Sequence, residues 1–406
     1  MYRTAQSALG VSVLSHFDQL QAASSPSAKK GKAKAVIALY MGGGMTHIDT
    51  WDPKTGETKG FKDPISTNAD GIQLGGYMTK MAKQADKIAI VRSMTSKVGA
   101  HAQGSYLMHT GYDPRGTIIH PTLGSWAQHH LGRSHATLPS SVVIGAGTSN
   151  AGFFPPSLAP IPISNPEIGL TNAKATVDAK TFKDRLGLMS ELDSGFRNKF
   201  NVAPVKAYSE FYDETMKLLT SEDLNAFNLA KEDAATQKLY GTGFGRSCML
   251  ARRLVQHGVR HVEVRMGGWD MHNDVDGSMA RNGGAMDAGF AALLQDLEKT
   301  GLLATTMVVM FSEFGRTPRI NENKGRDHYP KVFSTVFAGG GIKGGFVYGS
   351  SDANGMEVAD KQATPQDFLA TVGAGLNLPI AEVVMSPSGR PFTVGDKGRS
   401  MDELFA

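Results

Sequence analysis

Carboxylate and imidazole side chains follow several apolar segments of this sequence, at the point where each segment ends. Such groups bind divalent cations, and imidazoles also exchange protons near neutral pH. They are His47 and Asp49 after AVIALYM, His101 after KIAIVRSM, Asp270 and His272 after RHVEVRM, and Glu313, Asp327 and His328 after TTMVVMF. Four segments that are far apart in the sequence therefore offer metal ligands.

Imidazole nitrogen and carboxylate oxygen together favour zinc, iron or manganese. Several such ligands can hold two ions, and such a pair stabilises the attacking and leaving oxygens when an ester group is displaced. Arg316 and Arg326 lie in the same loop as Glu313, and arginine can pair with phosphate or sulfate through two parallel hydrogen bonds. An alternative is that the acid and the arginines of this loop form only a surface ion-pair network, which predicts no stoichiometric metal.

The apolar segments are short, rich in β-branched residues and bounded by glycine or polar loops, as is typical of strands buried on both faces. They are AVIALYM (35–41), KIAIVRSM (87–94), SVVIGAG (141–147), RHVEVRM (260–266), TTMVVMF (305–311) and FSTVFAGG (333–340). Amphipathic stretches such as AMDAGFAALLQDLEKTG lie between them and predict helices. The alternation predicts an α/β fold with a mostly parallel central sheet and helices on both faces. Because ligands bind beyond the carboxyl ends of strands in such sheets, the metal-binding side chains are expected to meet at one edge.

Residues 150 to 243, approximately, interrupt this alternation. FFPPSLAPIPISNP is Pro-rich and predicts loops, whereas 180–240 is polar and helical, with Thr220 or Ser221 as a helix N-cap. We interpret this region as a helical insertion lying on the sheet, within one domain that spans 35–406. The glycine clusters MGGGMTH and AGGGIKGG lack the spacing of a dinucleotide-binding loop and predict tight turns.

The composition excludes several classes of partner and site. Part of the formal net charge of +4 lies in KKGKAK at 29–34, so the rest of the chain is nearly neutral and offers no electrostatic case for nucleic acid binding. The single cysteine, Cys248, excludes internal disulfides and multi-cysteine metal sites. No run reaches the roughly 18 apolar residues of a membrane span. Residues 1–34 are expected to be either an export leader or a disordered linker.

Several long motifs in the same order make the chain similar to a known family. LYMGGGMTHIDTWDPK, GGWDMHND, FSEFGRTPRINENKGRDHYP, AGGGIKGG and TPQDFLATVGAGLNL resemble the bacterial domain-of-unknown-function family fifteen-oh-one, a sulfatase-like branch of the alkaline phosphatase superfamily, over about 35–405. The resemblance implies an alkaline-phosphatase-like α/β domain with a metal site, in an exported protein that is periplasmic or on the cell surface. It implies metal ligation by Asp49, Asp270, His272, Glu313 and His328.

The complete predicted ligand set adds His47 and Asp327 to these residues. The predicted cofactor is one or two divalent ions of zinc, manganese, iron or calcium. Superfamily members normally have Asp-His or Asp-Asn at the second acidic position, where this chain has Glu313 and Phe314. A ligand is therefore missing from that pattern, and one ion is better supported than two.

The nucleophile position also departs from the family pattern. Sulfatases carry C-x-P-S-R followed by a T-G pair, and aligning HAQGSYLMHTG on Thr110 and Gly111 places His101 where the modified cysteine or serine would stand. Formylglycine chemistry is therefore excluded. His101 is either a nucleophile or an added metal ligand, or a metal-bound hydroxide attacks the ester directly. We favour the hydroxide, because it needs only ligands that the sequence contains.

Two functional hypotheses follow. The first is a metal-dependent hydrolase of phosphate or sulfate esters, acting on a small-molecule or glycan ester. In this hypothesis Arg316 and Arg326 stabilise the charge that develops on the transferred group, and Asp327 orients His328 or binds metal. The alternative is a non-catalytic exported or surface-associated binding module that retains the fold and a structural metal, which the missing nucleophile favours. The sequence leaves the substrate, the identity of the metal and the oligomeric state open.

Overall fold

The computed structural model describes residues 31–147, 150–171, 173, 176–200 and 202–406 of the chain. The leader or linker predicted for residues 1–34 lies outside this part, except for residues 31–34. Residues Gly31–Ala406 form one compact unit.

The unit is built around one sheet of eight strands. In chain order the strands are β1 (Ala35–Met41), β2 (Ile65–Ser66), β3 (Gln73–Leu74), β4 (Ile88–Met94), β5 (Ser141–Ile144), β6 (Ile161–Ile163), β7 (His261–Met266), β8 (Thr306–Phe311), β9 (Gly315–Arg316), β10 (His328–Tyr329), β11 (Phe333–Ala338), β12 (Phe346–Tyr348), β13 (Ser350–Ser351), β14 (Val358–Asp360), β15 (Val384–Met385) and β16 (Pro391–Phe392). The central sheet has the order β12-β4-β11-β8-β1-β7-β5-β6. The other strands form four separate two-stranded hairpins or ribbons, β2 with β3, β9 with β10, β13 with β14 and β15 with β16.

The central sheet is mostly parallel, which confirms the predicted fold class. β1 pairs in parallel with β7 and with β8, and β5 pairs in parallel with β6 and β7. Of the eight strands, β11 alone runs antiparallel to its neighbours, β4 and β8. All six predicted strands are present. The sequence did not indicate β6 and β12, because each has only three residues and lies at an edge of the sheet.

Both faces of the sheet are buried, as the continuous apolar segments require. Every residue of β1 is buried. Ile37 and Leu39 belong to one hydrophobic core, and Val36 and Ala38 to the other. Since successive side chains of a strand point to opposite faces, β1 separates two apolar layers.

Helices cover the two faces. In chain order they are α1 (His101–Thr110), α2 (Leu123–Leu131), α3 (Ala179–Lys199), α4 (Ala203–Leu219), α5 (Ala234–Tyr240), α6 (Phe244–Gln256), α7 (Val275–Ser278), α8 (Gly284–Lys299) and α9 (Pro365–Gly375). Buried apolar residues of α6 and α8, such as Leu250 and Leu293, belong to the first core, and those of α1, α2 and α9, such as Met108, Trp126 and Phe368, belong to the second. A π-helical turn, Met279–Gly283, joins α7 to α8.

The region predicted as a helical insertion contains α3 and α4. Asp178 caps α3 by accepting a hydrogen bond from Thr181 N at 2.9 Å. Ser221, one of the two predicted caps, caps the 3-10 turn Glu222–Phe227. The same region also adds β6 to the edge of the sheet. In the described part of the chain, no helix has the length and apolar character that crossing a membrane requires.

Candidate metal centre

Three imidazoles surround one carboxylate oxygen at the carboxyl edge of the sheet. Asp270 Oδ1 lies 3.3 Å from His101 Nε2, 3.0 Å from His272 Nε2 and 3.2 Å from His328 Nε2. His101 is the first residue of α1, in the connection that follows β4. Asp270 and His272 follow β7, and His328 opens β10. The structure thus brings together side chains from three of the four loops that the sequence indicated.

Each of the three rings is held through its other nitrogen. His101 Nδ1 lies 2.7 Å from Glu313 Oε1, and His272 Nδ1 lies 3.0 Å from Asp327 Oδ1. His328 Nδ1 lies 2.7 Å from the carbonyl oxygen of Gly99. Carbonyl and carboxylate oxygens only accept hydrogen bonds, so each Nδ1 carries a proton that it donates. In a neutral ring, Nε2 then presents a lone pair towards Asp270, as metal-binding histidines do.

This arrangement concentrates electron-rich atoms in a small space. His272 Nε2 and His328 Nε2 are only 3.0 Å apart, and His101 Nε2 is buried without a hydrogen-bond partner among the described residues. Lone pairs and a carboxylate oxygen at such distances repel each other unless a positive charge lies between them. Arg316 donates to the same oxygen of Asp270, but the contact between the Nε2 atoms of His272 and His328 is relieved only if one of the rings is protonated or if the cluster binds a cation.

The geometry fits a divalent cation. The ligand atoms of His101, Asp270 and His328 all lie within 4.8 Å of one another, and His272 Nε2 lies next to two of them. A tetrahedral ion with ligands at about 2.0 to 2.2 Å keeps its ligand atoms roughly 3.3 to 3.6 Å apart. Asp270 Oδ1 lies 3.0 to 3.3 Å from the three Nε2 atoms, and His272 Nε2 lies 3.0 Å from His328 Nε2, which is close to this spacing.

Arg316 keeps Asp270 ionised. Burial would raise the pKa of Asp270, but the hydrogen bond and charge of Arg316, with the neighbouring histidines, outweigh burial and lower this pKa to about 2. Arg316 is fully buried, and it also donates to the carbonyl oxygens of Gly44 and Arg326 at 2.9 Å. The donors of this buried guanidinium bond Asp270 and backbone carbonyl oxygens, in contrast to the predicted role of binding the transferred group. The carboxylate of Asp270 itself is 48% exposed.

Glu313 lies behind His101 and is almost fully buried. Besides His101, its Oε1 accepts from Gly43 N at 2.8 Å, and its Oε2 accepts from Tyr40 Oη at 3.1 Å and from Ser312 Oγ at 3.0 Å. Both oxygens are therefore engaged. Glu313 holds the ring of His101 through Oε1, whereas the sequence predicted it to be a metal ligand.

The turn that supplies the donor of Gly43 needs glycine. Gly43 has a φ of 123°, and a Cβ on it would lie 2.4 Å from the backbone nitrogen of Asp270. The glycine cluster after β1 therefore forms a tight turn, as predicted, and this turn lets the loops that follow β1 and β7 approach each other.

Asp49 is not brought to the cluster. Its Oδ2 accepts hydrogen bonds from Arg326 Nε and from Thr46 Oγ1, both at 2.7 Å. Arg326 is fully buried and also donates to the carbonyl oxygens of Thr317, at 3.0 Å, and Pro318. The predicted metal ligand and the predicted anion-binding arginine thus form a buried ion pair with each other.

His47 is also separate from the cluster. It is fully buried, and its Nε2 lies 3.0 Å from the carbonyl oxygen of Gly355. Burial lowers the pKa of His47. The chain enters the interior after the Gly43 turn, so the side chains at positions 47 and 49 pack under the surface instead of facing the edge.

Comparison with known proteins identifies the family. The model of the family described as protein of unknown function DUF1501 matches residues 33–405. The chain belongs to this family. No curated protein matches it.

Several solved structures are similar to the DUF1501 chain at low sequence identity. Ps i-CgsB is 10% identical, with a TM-score of 0.46, over 93% of this chain and 76% of that one. A protein in the alkaline phosphatase superfamily from Vibrio parahaemolyticus is 11% identical, with a TM-score of 0.41, over 94% and 72%. The PsFucS1 sulfatase from Pseudoalteromonas sp. is 12% identical, with a TM-score of 0.39, over 97% and 78%. At these identities the similarities say nothing about the substrate or reaction of the DUF1501 chain.

Sequence reasoning missed Asn321, which supports the cluster in this DUF1501 protein. Asn321 Nδ2 donates to Asp327 Oδ1 at 3.0 Å and to the carbonyl oxygen of His272 at 3.1 Å. Asn321 Oδ1 accepts from Gly325 N at 2.8 Å, which closes the loop between β9 and β10. The signal in the sequence was the stretch NENKG, since asparagine and glycine together favour turns. Gly325 belongs to that stretch and Asp327 follows it closely, whereas His272 lies in another loop and could not be read from the stretch.

Proposed function

We propose that this protein is a metal-dependent hydrolase of phosphate or sulfate esters, with one divalent ion bound by His101, Asp270, His272 and His328. The observation that carries the proposal is the convergence of three Nε2 atoms on Asp270 Oδ1, each ring being anchored through Nδ1. Three nitrogens and one oxygen favour zinc, with manganese and iron as alternatives.

The surroundings of the cluster support a catalytic rather than a closed structural site. The side chains of Asp270 and His272 are 48% and 39% exposed, so a substrate can approach them. A divalent ion bound there would polarise an ester oxygen and would lower the pKa of a water ligand. No side chain has to act as a nucleophile in such a reaction, which agrees with the histidine at position 101.

The protein residues would act by fixing the ligands. Glu313 holds the ring of His101, and Asp327 holds the ring of His272. Asp327 has a lowered pKa, chiefly because of the hydrogen bond from His272, so it stays ionised at neutral pH and accepts that hydrogen bond. Arg316 keeps Asp270 unprotonated. These contacts are the outer shell that sets ligand orientation and basicity at a metal site.

One ion is favoured over two. Three other carboxylates of the predicted set already have partners: Asp49 pairs with Arg326, both oxygens of Glu313 accept hydrogen bonds, and Asp327 Oδ1 lies against His272 Nδ1. His47 lies against Gly355. A second ion would have to displace a buried guanidinium, which is costly because the charge of Arg326 would be left unpaired.

The test combines metal analysis with turnover. Elemental analysis of the purified protein is expected to give close to one ion per chain. Aryl phosphates and aryl sulfates are then assayed with and without chelator, in the wild type, in Asp270→Asn and in the control Glu322→Gln. Glu322 is an exposed residue in the loop that carries Asp327.

The outcomes separate the two hypotheses. Turnover that is lost with chelator and in Asp270→Asn, but kept in Glu322→Gln, supports the hydrolase. Stoichiometric metal without turnover of any phosphate or sulfate ester supports the binding module instead. If the protein binds no ion and Asp270→Asn retains full turnover, the proposal is wrong.

We further propose that the protein is exported to the periplasm or the cell surface. Residues 1–30 contain a short, weakly apolar stretch followed by the small residues of AASSPSA, which is typical of an export leader. Fusing residues 1–35 to an export reporter tests this: reporter activity outside the cytoplasm is expected, and a reporter retained inside the cell contradicts it.

A further inference from the structure

A cavity of about 390 Å³ lies at the end of the sheet opposite to the metal centre. Residues before and at the start of β1, β7 and β8 line it, and these strands are neighbours in the order β8-β1-β7. The three strands are parallel, so they all begin at this edge. β1 has seven residues and a strand rises about 3.3 Å per residue, so the two edges are about 20 Å apart. The cavity is therefore separate from the metal centre.

Three cationic side chains line this cavity, and none of the described carboxylates does. Lys34 precedes β1, Arg260 precedes β7, and Arg133 lies in the connection between α2 and β5. Backbone hydrogen bonds hold the first two in place. Lys34 N donates to the carbonyl oxygen of Thr305 at 2.7 Å, and Val36 N donates to the carbonyl oxygen of Arg260 at 2.8 Å. The pairing of the strands thus brings cations from separate loops to one cavity.

The charges of Lys34 and Arg260 are not compensated within the described part of the chain. Lys34 is exposed and forms no ion pair there. Arg260 Nη1 donates to the carbonyl oxygen of Gly132 at 2.6 Å, which leaves the guanidinium without a carboxylate partner among the described residues. Burial lowers the pKa of Arg260, and no described carboxylate offsets this effect. The side chain still carries its charge at neutral pH, because the pKa of arginine lies above about 12.

Arg133 differs from the other two cations because it is paired. Its Nη1 contacts the carboxylate of Glu214, and its Nε donates to the carbonyl oxygen of His135 at 3.3 Å. The net positive charge of the wall therefore comes from Lys34 and Arg260. A concave surface lined by charges of one sign concentrates ions of the opposite sign from solution. The electrostatics of this cavity thus favour an anion.

The other groups of the wall indicate the kind of anion. Thr305 lines the cavity, is half-buried, and its hydroxyl bonds no described residue. A guanidinium, an ammonium and a hydroxyl from three loops suit an anion whose oxygens point in several directions, as those of phosphate and sulfate do. The volume also lies within the range of roughly 300 to 1,000 Å³ that is typical of ligand pockets.

We propose that this cavity binds a tetrahedral oxyanion, phosphate or sulfate, between Lys34 and Arg260. The guanidinium donates hydrogen bonds to the anion, the ammonium adds a second positive charge, and the hydroxyl of Thr305 donates a further hydrogen bond. The anion is either a free ion or the terminal group of a larger molecule, since both present the same oxygens. The assignment does not depend on ester hydrolysis, because the metal centre lies at the other edge of the sheet.

Isothermal titration calorimetry of the full chain measures this binding. Sodium phosphate, sodium sulfate and glycerol 3-phosphate are titrated at constant ionic strength, with sodium chloride as the reference salt. The cavity variants are Arg260→Gln and Lys34→Gln, each of which removes one positive charge. Lys238→Gln is the matched control, because Lys238 is an exposed lysine of α5 that does not line the cavity. Circular dichroism establishes that each variant is folded.

We expect the wild type and Lys238→Gln to bind phosphate or sulfate with equal affinity. The affinity should fall by roughly tenfold or more in Arg260→Gln, as for the loss of hydrogen bonds between charged groups. It should fall less in Lys34→Gln, because the ammonium of Lys34 is more exposed to solvent and salt. If the wild type binds none of the three anions, or if both cavity variants bind them as well as the control does, the assignment of the cavity is wrong.

The same series separates the cavity from the metal centre. An anion bound at the centre contributes equally in all four proteins, because none of the three substituted residues belongs to the cluster. Only the component that is lost in the cavity variants supports the assignment, and a component that persists unchanged in them contradicts it. Within the component that is lost, tighter binding of glycerol 3-phosphate than of phosphate identifies the terminal group of a larger molecule as the occupant. The reverse order identifies the free ion.

Discussion

His272 Nε2 and His328 Nε2 lie 3.0 Å apart, and both atoms face the same oxygen of Asp270. The Nδ1 atoms of the two rings are bonded to Asp327 and to the carbonyl oxygen of Gly99. Two neutral imidazoles in this orientation would bring two lone pairs together. A cation between them removes this repulsion, so we expect the cluster to bind one.

Metal binding should stabilise the fold. An ion that binds only the folded chain, added at 100 times its dissociation constant, raises the free energy of unfolding by about 2.7 kcal/mol. Thermal unfolding with Zn²⁺ or Mn²⁺ and then with chelator measures this shift. His328→Ala should abolish the metal-dependent part, whereas His129→Ala, at an exposed histidine outside the cluster, should keep it. A shift of equal size in both variants would contradict the assignment.

Glu313→Gln should weaken metal binding without removing a ligand. The amide of Gln keeps one acceptor oxygen, but it lacks the negative charge. It therefore cannot replace the carboxylate that His101, Gly43 and Tyr40 all contact. Loss of such an outer-shell partner typically lowers metal affinity by about 10- to 100-fold. Competition titration with a chromophoric chelator measures the affinity, with Glu322→Gln as the control. Unchanged affinity in Glu313→Gln would show that the orientation of His101 does not depend on this carboxylate.

Asp49→Asn should destabilise the protein but leave the number of bound ions unchanged. The substitution leaves the guanidinium of Arg326 buried without its charged partner, and breaking a buried ion pair in this way typically costs about 3 to 5 kcal/mol. Urea unfolding measures the loss of stability, and elemental analysis measures the metal. A variant of normal stability that lost its ion would make Asp49 a ligand, as the sequence predicted.

The pair of His109 and Glu263 should make stability depend on pH. Burial alone would lower the pKa of His109, but Glu263 outweighs burial and raises it. Burial alone would raise the pKa of Glu263, but His109 and Arg265 outweigh burial and lower it. His109 therefore contributes fully to the free energy of unfolding below about pH 6.5, its pKa in the unfolded chain. This contribution is lost as pH rises through the pKa of His109 in the folded protein. Glu263 contributes to the free energy of unfolding above about pH 4.3, its pKa in the unfolded chain. This contribution is lost as pH falls through the pKa of Glu263 in the folded protein.

Urea unfolding of the wild type and of His109→Gln over a pH series checks this pair. The wild type should exceed His109→Gln in free energy of unfolding by the largest amount between about pH 4.3 and 6.5. In this range both His109 and Glu263 are charged in the folded protein and in the unfolded chain. The difference should shrink at higher pH as His109 loses its proton. A difference that does not change with pH, or that grows above neutrality, would show that His109 is not charged in the folded protein.

The sequence by itself determined the strands and the loops in which the chemistry lies. Apolar segments such as 35–41 became strands because they are short and rich in residues that favour strands buried on both faces, and parallel strands present their carboxyl ends at one edge. This rule predicted that His101, Asp270, His272 and His328 meet at one edge, but it also placed His47 and Asp49 there, which lie elsewhere. Their residue types were enough to suggest a metal.

Only the tertiary structure decided which side chain faces which partner. Asp49 and Glu313 stand at the predicted strand ends, yet one pairs with Arg326 and the other holds His101. Sequence position fixes the loop of a residue to within a few residues, but the direction of its side chain depends on partners from other loops, such as Gly43 and Tyr40. A carboxylate in the interior takes the nearest donors because burying it unpaired is costly, and those donors become neighbours only when the chain has folded.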